Sequence, residues 1–393
     1  MTSELLFRPV IDTRRFFDWA STSPVSAACA AAMDSHTRAE LAHPSPPDFL
    51  TEHTRGVDSL RDEIRAVFAA PPDVDVAVVR SVAEASSAMA RTMTVPRGAN
   101  VVVTAADHPA LVAPWCWLTG TRPDVELRTI RSDASGRLDL EHAERLVDAA
   151  TAVVTCTHLT HLDGVLQPVH ALAELVRRRS GALLIVDGAQ SAGRVPVRFD
   201  RLGADVYTAS GRKALLGPLG AGFLIAAPGV LDSFGPLVFS ARNCSVHARA
   251  DGRWRPGAQP AGGSAVLEGN LPDLRLLSGL AASLAAYRQA GPARLAGRCC
   301  AAADQVARLL PAAGLRAVGP SDSGRHGIGR WRSPSVRDHR ELKARLGRVG
   351  FSLAATREWV RISVHAFTSA DDIARFCDHL RPNADTHLDG RQR

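Results

Sequence analysis

Seven short apolar runs stand in the first part of the chain, at 76–80, 101–104, 125–130, 152–156, 183–187, 206–209 and 222–226. Apolar residues at helical spacing occupy 60–68, 140–149 and 168–179, between or beside several of these runs. Runs this short suit strands rather than helices. Strands joined by helical crossovers are forced parallel, with both faces of the sheet covered. The pattern predicts an α/β domain on a mostly parallel seven-stranded sheet. Beyond residue 226 it changes. Residues 251–264, DGRWRPGAQPAGGS, are rich in glycine and proline and read as a loop. Helical segments at 274–290 and 293–310, a strand at 359–364 and a helix at 371–380 predict a smaller C-terminal α+β domain. The expected limits are an N-terminal segment, 1–30, packing on the small domain, then a large domain, 31–265, and a small domain, 266–393.

Composition narrows the function classes. With 46% hydrophobic and 22% charged residues, the chain can bury a large core. It has no run of about 18 apolar residues, and its start, MTSELLFRPVIDTRRFF, is charged throughout. A cytoplasmic protein without a membrane partner is therefore expected. The net charge of +7 is densest at Arg177, Arg178 and Arg179. These close a predicted helix, where cations favour the negative end of its dipole. Without a basic stripe or a recognised module, the sequence does not point to nucleic acid, and the positive balance suits small anionic ligands. The seven cysteines are scattered, with no C-x-x-C, and are expected to be reduced thiols.

Of the 47 lysine and arginine residues, only Lys213 and Lys343 are lysine. Arginine supplies surface charge everywhere else. The lysine in YTASGRKALLGP offers what a guanidinium cannot, an amine that can lose its proton and attack a carbonyl. Asp187 ends the run LLIVD, and ligands of open α/β sheets bind just beyond the carboxyl ends of strands. Alone, it reads equally well as a turn or cap aspartate. It is followed by Gln190 in DGAQS, then by Ser210, Arg212 and Lys213 in SGRK and a glycine-rich return, GPLGAGFLIA.

This linked pattern resembles the class V branch of pyridoxal-phosphate enzymes, which includes cysteine desulfurases and related lyases. The resemblance covers most of the chain, from FDWASTSPVS to VRISVHAFTSADDI. It implies the fold type I architecture of transferases dependent on pyridoxal 5'-phosphate. SGRK, with arginine before lysine, looks most like C–S lyases of the ergothioneine-pathway type, and like enzymes that process cysteine S-conjugates in lincosamide antibiotic pathways. The resemblance makes Lys213 the lysine that holds the cofactor as a Schiff base and later moves the substrate Cα proton. It sets Asp187 against the pyridine nitrogen, Gln190 at the phenolic oxygen, and His108, from ADHPALVAPW, on one face of the ring. Arg361, in WVRISVH, matches the arginine that clamps the substrate carboxylate.

For the phosphate, Ser81 and Glu84 form an S-x-x-E box that opens a helix whose first amides suit an anion. Here the chain departs from the family. Val82 and Ala83 stand where glycine and threonine are usual, so a hydroxyl contact is lost and Ser210 and Arg212 are expected to compensate. Asn270, in LEGNLPD, falls near the place from which the family takes a phosphate contact across a subunit interface. His161, in HLTH, stands where asparagine is common and is expected at the cofactor oxygen. Paired only with His158, it makes a poor metal site. Arg253, Trp254 and Arg255 suit a gate, a subunit contact or a plain surface loop.

A desulfurase needs a cysteine nucleophile on a loop upstream of the carboxylate-binding arginine, and no cysteine lies between Cys300 and Arg361. The expectation is therefore a lyase acting on an amino acid, a cysteine S-conjugate, in the biosynthesis of a sulfur-containing small molecule or antibiotic. Lys213 takes the Cα proton, the Cβ–S bond breaks to release the thiol, and hydrolysis of the aminoacrylate gives pyruvate and ammonia. A homodimer is expected by resemblance. The alternatives are decarboxylation with oxidative deamination, and desulfurase- or epimerase-like outcomes. A reading from another class is a scaffold that keeps the fold and not the chemistry. Val82 and Ala83 motivate it, and Asp187, Gln190, Lys213 and Arg361 together oppose it.

Overall fold

The computed structural model describes residues 3–44, 47–240, 243–249, 251–254, 257 and 259–380, so that Arg255 lies outside the described residues. The large sheet consists of β1 (Asp75–Val79), β2 (Asn100–Thr104), β3 (Glu126–Ile130), β4 (Thr151–Thr157), β5 (Leu183–Asp187), β6 (Val206–Ser210) and β7 (Gly222–Ala226). Their spatial order is β1-β7-β6-β5-β4-β2-β3, and only β7 runs against the others. Each strand matches one of the seven expected runs.

Helices α1 (Ser3–Leu6), α2 (Ala27–Ala42), α3 (Phe49–Phe68), α4 (Val82–Thr92), α5 (Pro109–Thr121), α6 (Leu140–Leu146), α7 (Val169–Arg179) and α8 (Phe199–Leu202) accompany this sheet. Alternation along the strands sends residues to two separate cores. On one face Val76, Val78, Val102, Val154 and Val186 meet Leu60, Ile64 and Phe68 of α3 and Leu172 and Val176 of α7. On the other, Ala77, Val79, Val101, Val103 and Ile185 meet Met89 of α4 and Leu111, Trp115 and Leu118 of α5. Six parallel strands covered in this way present their carboxyl ends along one edge, the usual place for a ligand in such sheets.

A two-stranded pair, β8 (Cys244–Ser245) and β9 (Gln259–Pro260), interrupts the region expected as loop, and α9 (Leu274–Ala290) follows. The remaining elements are α10 (Pro292–Ala312), β10 (Arg316–Val318), β11 (Ile328–Arg332), α11 (His339–Arg348), β12 (Ala354–Ala355), β13 (Val360–Ser363) and α12 (Ala370–Leu380). The four strands form an antiparallel sheet in the order β10-β11-β13-β12. The N-terminal segment is threaded into this small sheet. Phe17 is buried against Phe351 and Phe376, and the amide of Ser363 donates to its carbonyl. That anchorage carries residues 18–22 to the gap between the two sheets.

Candidate active site

Five parallel strands end together, and each is followed at once by a residue of the site. Ser81 and α4 follow β1, Asp107 and His108 follow β2, and His158 and His161 follow β4. Gln190 follows Asp187 at the end of β5, and Arg212 and Lys213 follow Ser210 at the end of β6. The small sheet contributes Arg361 from β13. The N-terminal segment closes the set. The carbonyl of Ala20 accepts from Lys213 Nζ at 2.6 Å and from Gln190 Nε2 at 2.8 Å. Arg212 Nη1 donates to the carbonyl of Ser21 at 2.5 Å and to Thr22 Oγ1 at 2.6 Å.

The lysine sits on a strained turn. The amide of Leu216 donates to the Lys213 carbonyl, and Leu216 holds a left-handed φ of 54° that a branched residue adopts only under constraint. Burial, then the charges of Arg212 and Arg361, bring the Lys213 amine down to about 7, against a smaller upward pull from Asp187 and Asp18. About half of it is then neutral near pH 7, the form that reacts with carbonyls. His108 lies in the same cationic field, and burial followed by Lys213, Arg212 and Arg361 depresses its proton affinity.

Asp187 is buried, and desolvation raises it to about 6, opposed by the hydrogen bond that Ala189 N donates to Oδ1 at 2.7 Å. The next residue has to be glycine: a Cβ on Gly188 would lie 2.0 Å from the Tyr207 ring. His108 Nδ1 caps α5 by accepting from Ala110 N, and its ring meets that of His161 edge to face at 4.6 Å. Burial, with His108, Arg361, Lys213 and Arg330 around it, brings His161 down to about 3, so the ring is neutral. The His158 ring turns elsewhere, edge-on to Tyr207. The expected capping box forms in part: Ser81 Oγ accepts from Glu84 N, but Glu84 accepts from the amide of Arg80 rather than from that of Ser81. The Val82 and Ala83 amides in this first turn have no intrahelical acceptor. Asn270 stands exposed before α9, with no hydrogen bond to the other site residues.

Arg361 is already engaged. Nη2 donates to Ser21 Oγ at 2.5 Å and to Asp18 Oδ1 at 3.2 Å, and Nη1 donates to the His161 carbonyl at 3.0 Å. Its Nε is buried without a partner among the described residues. Sequence reading missed Asp18 and Ser21, and it also missed Asp107. The Asp107 carboxylate is buried and accepts from Thr104 N, Thr104 Oγ1, Thr155 Oγ1 and Thr157 N at 2.6–3.0 Å. It ties the end of β2 to the end of β4, and so fixes His108 relative to His161. A charged residue directly before His108, in an otherwise apolar strand end, was the available signal.

The residues gathered here fit pyridoxal 5'-phosphate. Gln190 Oε1, His161 Nδ1 and Arg361 Nε are buried polar atoms without partners among the described residues, a set that a polar ligand would satisfy. Lys213 supplies an amine for an aldehyde, Asp187 a carboxylate for a ring N–H, and the start of α4 free amides for a phosphate.

The profile of the class-V aminotransferase family matches residues 15–264, and the chain belongs to that family. A cysteine desulfurase of Haloferax volcanii is 34% identical over 157 residues, 40% of this chain and 36% of that protein. The chain spans between 36% and 60% of the lengths of the first curated relatives it matches. The structure of a cysteine desulfurase from Thermococcus onnurineus NA1 superposes with a TM-score of 0.82 at 22% identity, covering 92% of each chain. The cystine C–S lyase C-DES, in complex with cysteine persulfide, superposes with a TM-score of 0.82 at 19% identity over 93% of this chain and 97% of that one. The fold and the family are those of pyridoxal-phosphate enzymes of desulfurase-like type. These relatives do not support the narrower ergothioneine- or lincosamide-type resemblance.

Proposed function

We propose that the chain is a pyridoxal-phosphate lyase that cleaves the Cβ–S bond of a cysteine S-conjugate. When bound, the cofactor supplies an electron-accepting ring that makes the Cα–H bond acidic and the Cβ–S bond breakable. Asp187 offers its carboxylate to the ring N–H. Gln190 Nε2, which has one N–H beyond its bond to the Ala20 carbonyl, and His161 Nδ1 donate to the ring oxygen, and His108 closes one face. The α4 amides of Val82 and Ala83, with Ser210 and Arg212, hold the phosphate. Arg361 orients the substrate carboxylate, exchanging the Ser21 and Asp18 contacts at Nη2 for it. Lys213 Nζ, neutral in about half of the molecules near pH 7, takes the Cα proton.

One observation carries the choice of lyase. The turn before Arg361, residues 356–359, is a tight hairpin closed by a bond from Thr356 N to the Trp359 carbonyl, and it carries no cysteine. Cys299 is buried against Arg194 and the Val364 carbonyl. A second reading, cysteine desulfurase, is the one the names of the relatives favour. We further infer a homodimer, supported by the exposed apolar side chains of Leu219, Phe239, Val246, Trp254 and Leu271.

The test incubates cofactor-loaded protein with L-cysteine and with several cysteine S-conjugates, and measures thiol, pyruvate, alanine, carbon dioxide and peroxide. Thiol with pyruvate in equal amounts supports the lyase. Alanine from cysteine with persulfide on the protein supports the desulfurase, and carbon dioxide with peroxide the oxidative alternative. A colourless protein that cannot be loaded overturns all three. Sedimentation of the loaded protein as a monomer would remove the dimer.

A further inference from the structure

The small sheet pairs a second arginine with the carboxylate clamp. β11 and β13 pair with Arg330 directly opposite Arg361, so both side chains leave the sheet on one face. That face looks at the large domain, since Ile328, two residues earlier on the same side, is buried with Ala20 and Leu159. Like charges directly opposed destabilise a sheet. Here each has one carboxylate. Asp18 lies 3.2 Å from Arg361, and Asp163 takes two bonds of 2.8 Å from Nε and Nη2 of Arg330. His161 stands between them. Its carbonyl accepts from Arg361, its ring lies in the field of both arginines, and Asp163 is two residues further along.

The two cations are not equivalent. The Arg361 side chain is 10% exposed and that of Arg330 21%. Nη1 of Arg330 has no hydrogen-bond partner among the described residues, and its guanidinium lies 5.7 Å from the centre of the Trp359 ring. Trp359 belongs to the tight turn that leads into β13, so Arg330 is oriented from two sides with one donor arm left over. Facing residues on neighbouring strands stand about 5 Å apart at Cβ. The carboxyl carbons of S-carboxymethyl-L-cysteine are separated by four atoms, Cα, Cβ, sulfur and one methylene, so one small molecule can reach both of these long side chains.

We propose that Arg330 forms a second anion subsite next to Arg361, and that the preferred substrates are cysteine S-conjugates bearing a further carboxylate close to sulfur. This rests on the S-conjugate reading above. Asp163 orients Arg330 and partly offsets its charge, which keeps the site from binding any small anion indiscriminately. Conjugates with a neutral or cationic S-substituent gain nothing from the subsite.

The experiment measures equilibrium affinity, through the absorbance change of cofactor-loaded protein, for S-carboxymethyl-L-cysteine and its uncharged isostere S-carbamoylmethyl-L-cysteine. The wild-type protein should prefer the acid by about fivefold, the scale of one partly exposed charge-assisted contact. In Arg330→Gln the ratio should fall to about one. Arg330→Lys, which keeps the charge, should retain part of the preference, and Asp163→Asn should widen it. Equal affinities in the wild-type protein, or an unchanged ratio in Arg330→Gln, overturn the subsite. Binding of neither conjugate removes the subsite and the S-conjugate reading together. Preference for the acid without its cleavage leaves the subsite standing and removes the lyase.

Discussion

The amine of Lys213 should react with carbonyls at a pH where an ordinary lysine is inert. Moving it from 10.5 to about 7 shifts its protonation equilibrium by roughly 3000-fold, or ~5 kcal/mol. At pH 7 about half of the Lys213 side chains are neutral, against roughly 0.03% for a lysine at its ordinary value. Only one other lysine exists, the exposed Lys343, which serves as an internal control. Protein stripped of cofactor is exposed to pyridoxal phosphate from pH 5 to 11, fixed with borohydride, and each lysine peptide is quantified by mass spectrometry. Capture at Lys213 should rise through a midpoint near pH 7 and level off, well below the pH at which an ordinary lysine amine reacts. If Lys213 were labelled only above pH 9, burial and the arginine field would not be activating it. The same shift has a stability consequence of definite sign. The folded chain releases this proton near pH 7 and the unfolded chain near 10.5, so the penalty is full below pH 7 and disappears as pH rises to 10.5. Lys213→Met should therefore stabilise the cofactor-free protein at pH 6, by up to ~5 kcal/mol, and hardly at all at pH 10.5.

Arg361→Gln should weaken binding of cysteine conjugates by ~2–4 kcal/mol, raising KM more than it lowers kcat. It should also erase the difference between a cysteine conjugate and the corresponding cysteamine conjugate, which lacks the carboxylate. Asp187→Asn should lower cofactor affinity at pH 8, measured by equilibrium dialysis. Because the wild-type carboxylate is ionised only above about pH 6, its advantage over the variant should shrink as pH falls through that value. Asp107→Asn should cost ~2–4 kcal/mol in chemical denaturation. Each carboxylate oxygen accepts one backbone N–H and one threonine hydroxyl, and an amide NH2 would face one of those N–H groups whichever way it turned. Destabilisation within experimental error would show that the four bonds are not formed together.

Six of the seven strands were legible because each is a short apolar run between turn residues, and strands buried on both faces need no alternation to be recognised. The seventh, β3, lies at the sheet edge, is partly exposed and mixes apolar and polar residues instead. Helix α5 was not. Its sequence PALVAPWCWLTGT is apolar on nearly every side, and only Leu111, Trp115 and Leu118 are buried, so no helical period marks it. The limits of α6 were misjudged by three residues because Val147 turns to an extended conformation that leads into β4. In the site, local patterns singled out Asp187, Gln190 and Lys213 at a strand end or turn, and the family resemblance singled out Arg361, within β13. Asp18, Ser21, Asp107, Asp163 and Arg330 carried no such mark.

Residue types and spacing alone decided the parallel sheet and the singular role available to Lys213, because strand propensity, crossover length and the choice of lysine over arginine are local properties of the chain. Which groups share a pocket was decided in three dimensions. Ala20 and Lys213, or Arg361 and Asp18, are far apart in sequence and meet only because the N-terminal segment is bonded into the small sheet. The lowered proton affinity of Lys213 has the same origin, since burial and the charges of neighbouring arginines exist only once the chain has closed around that amine.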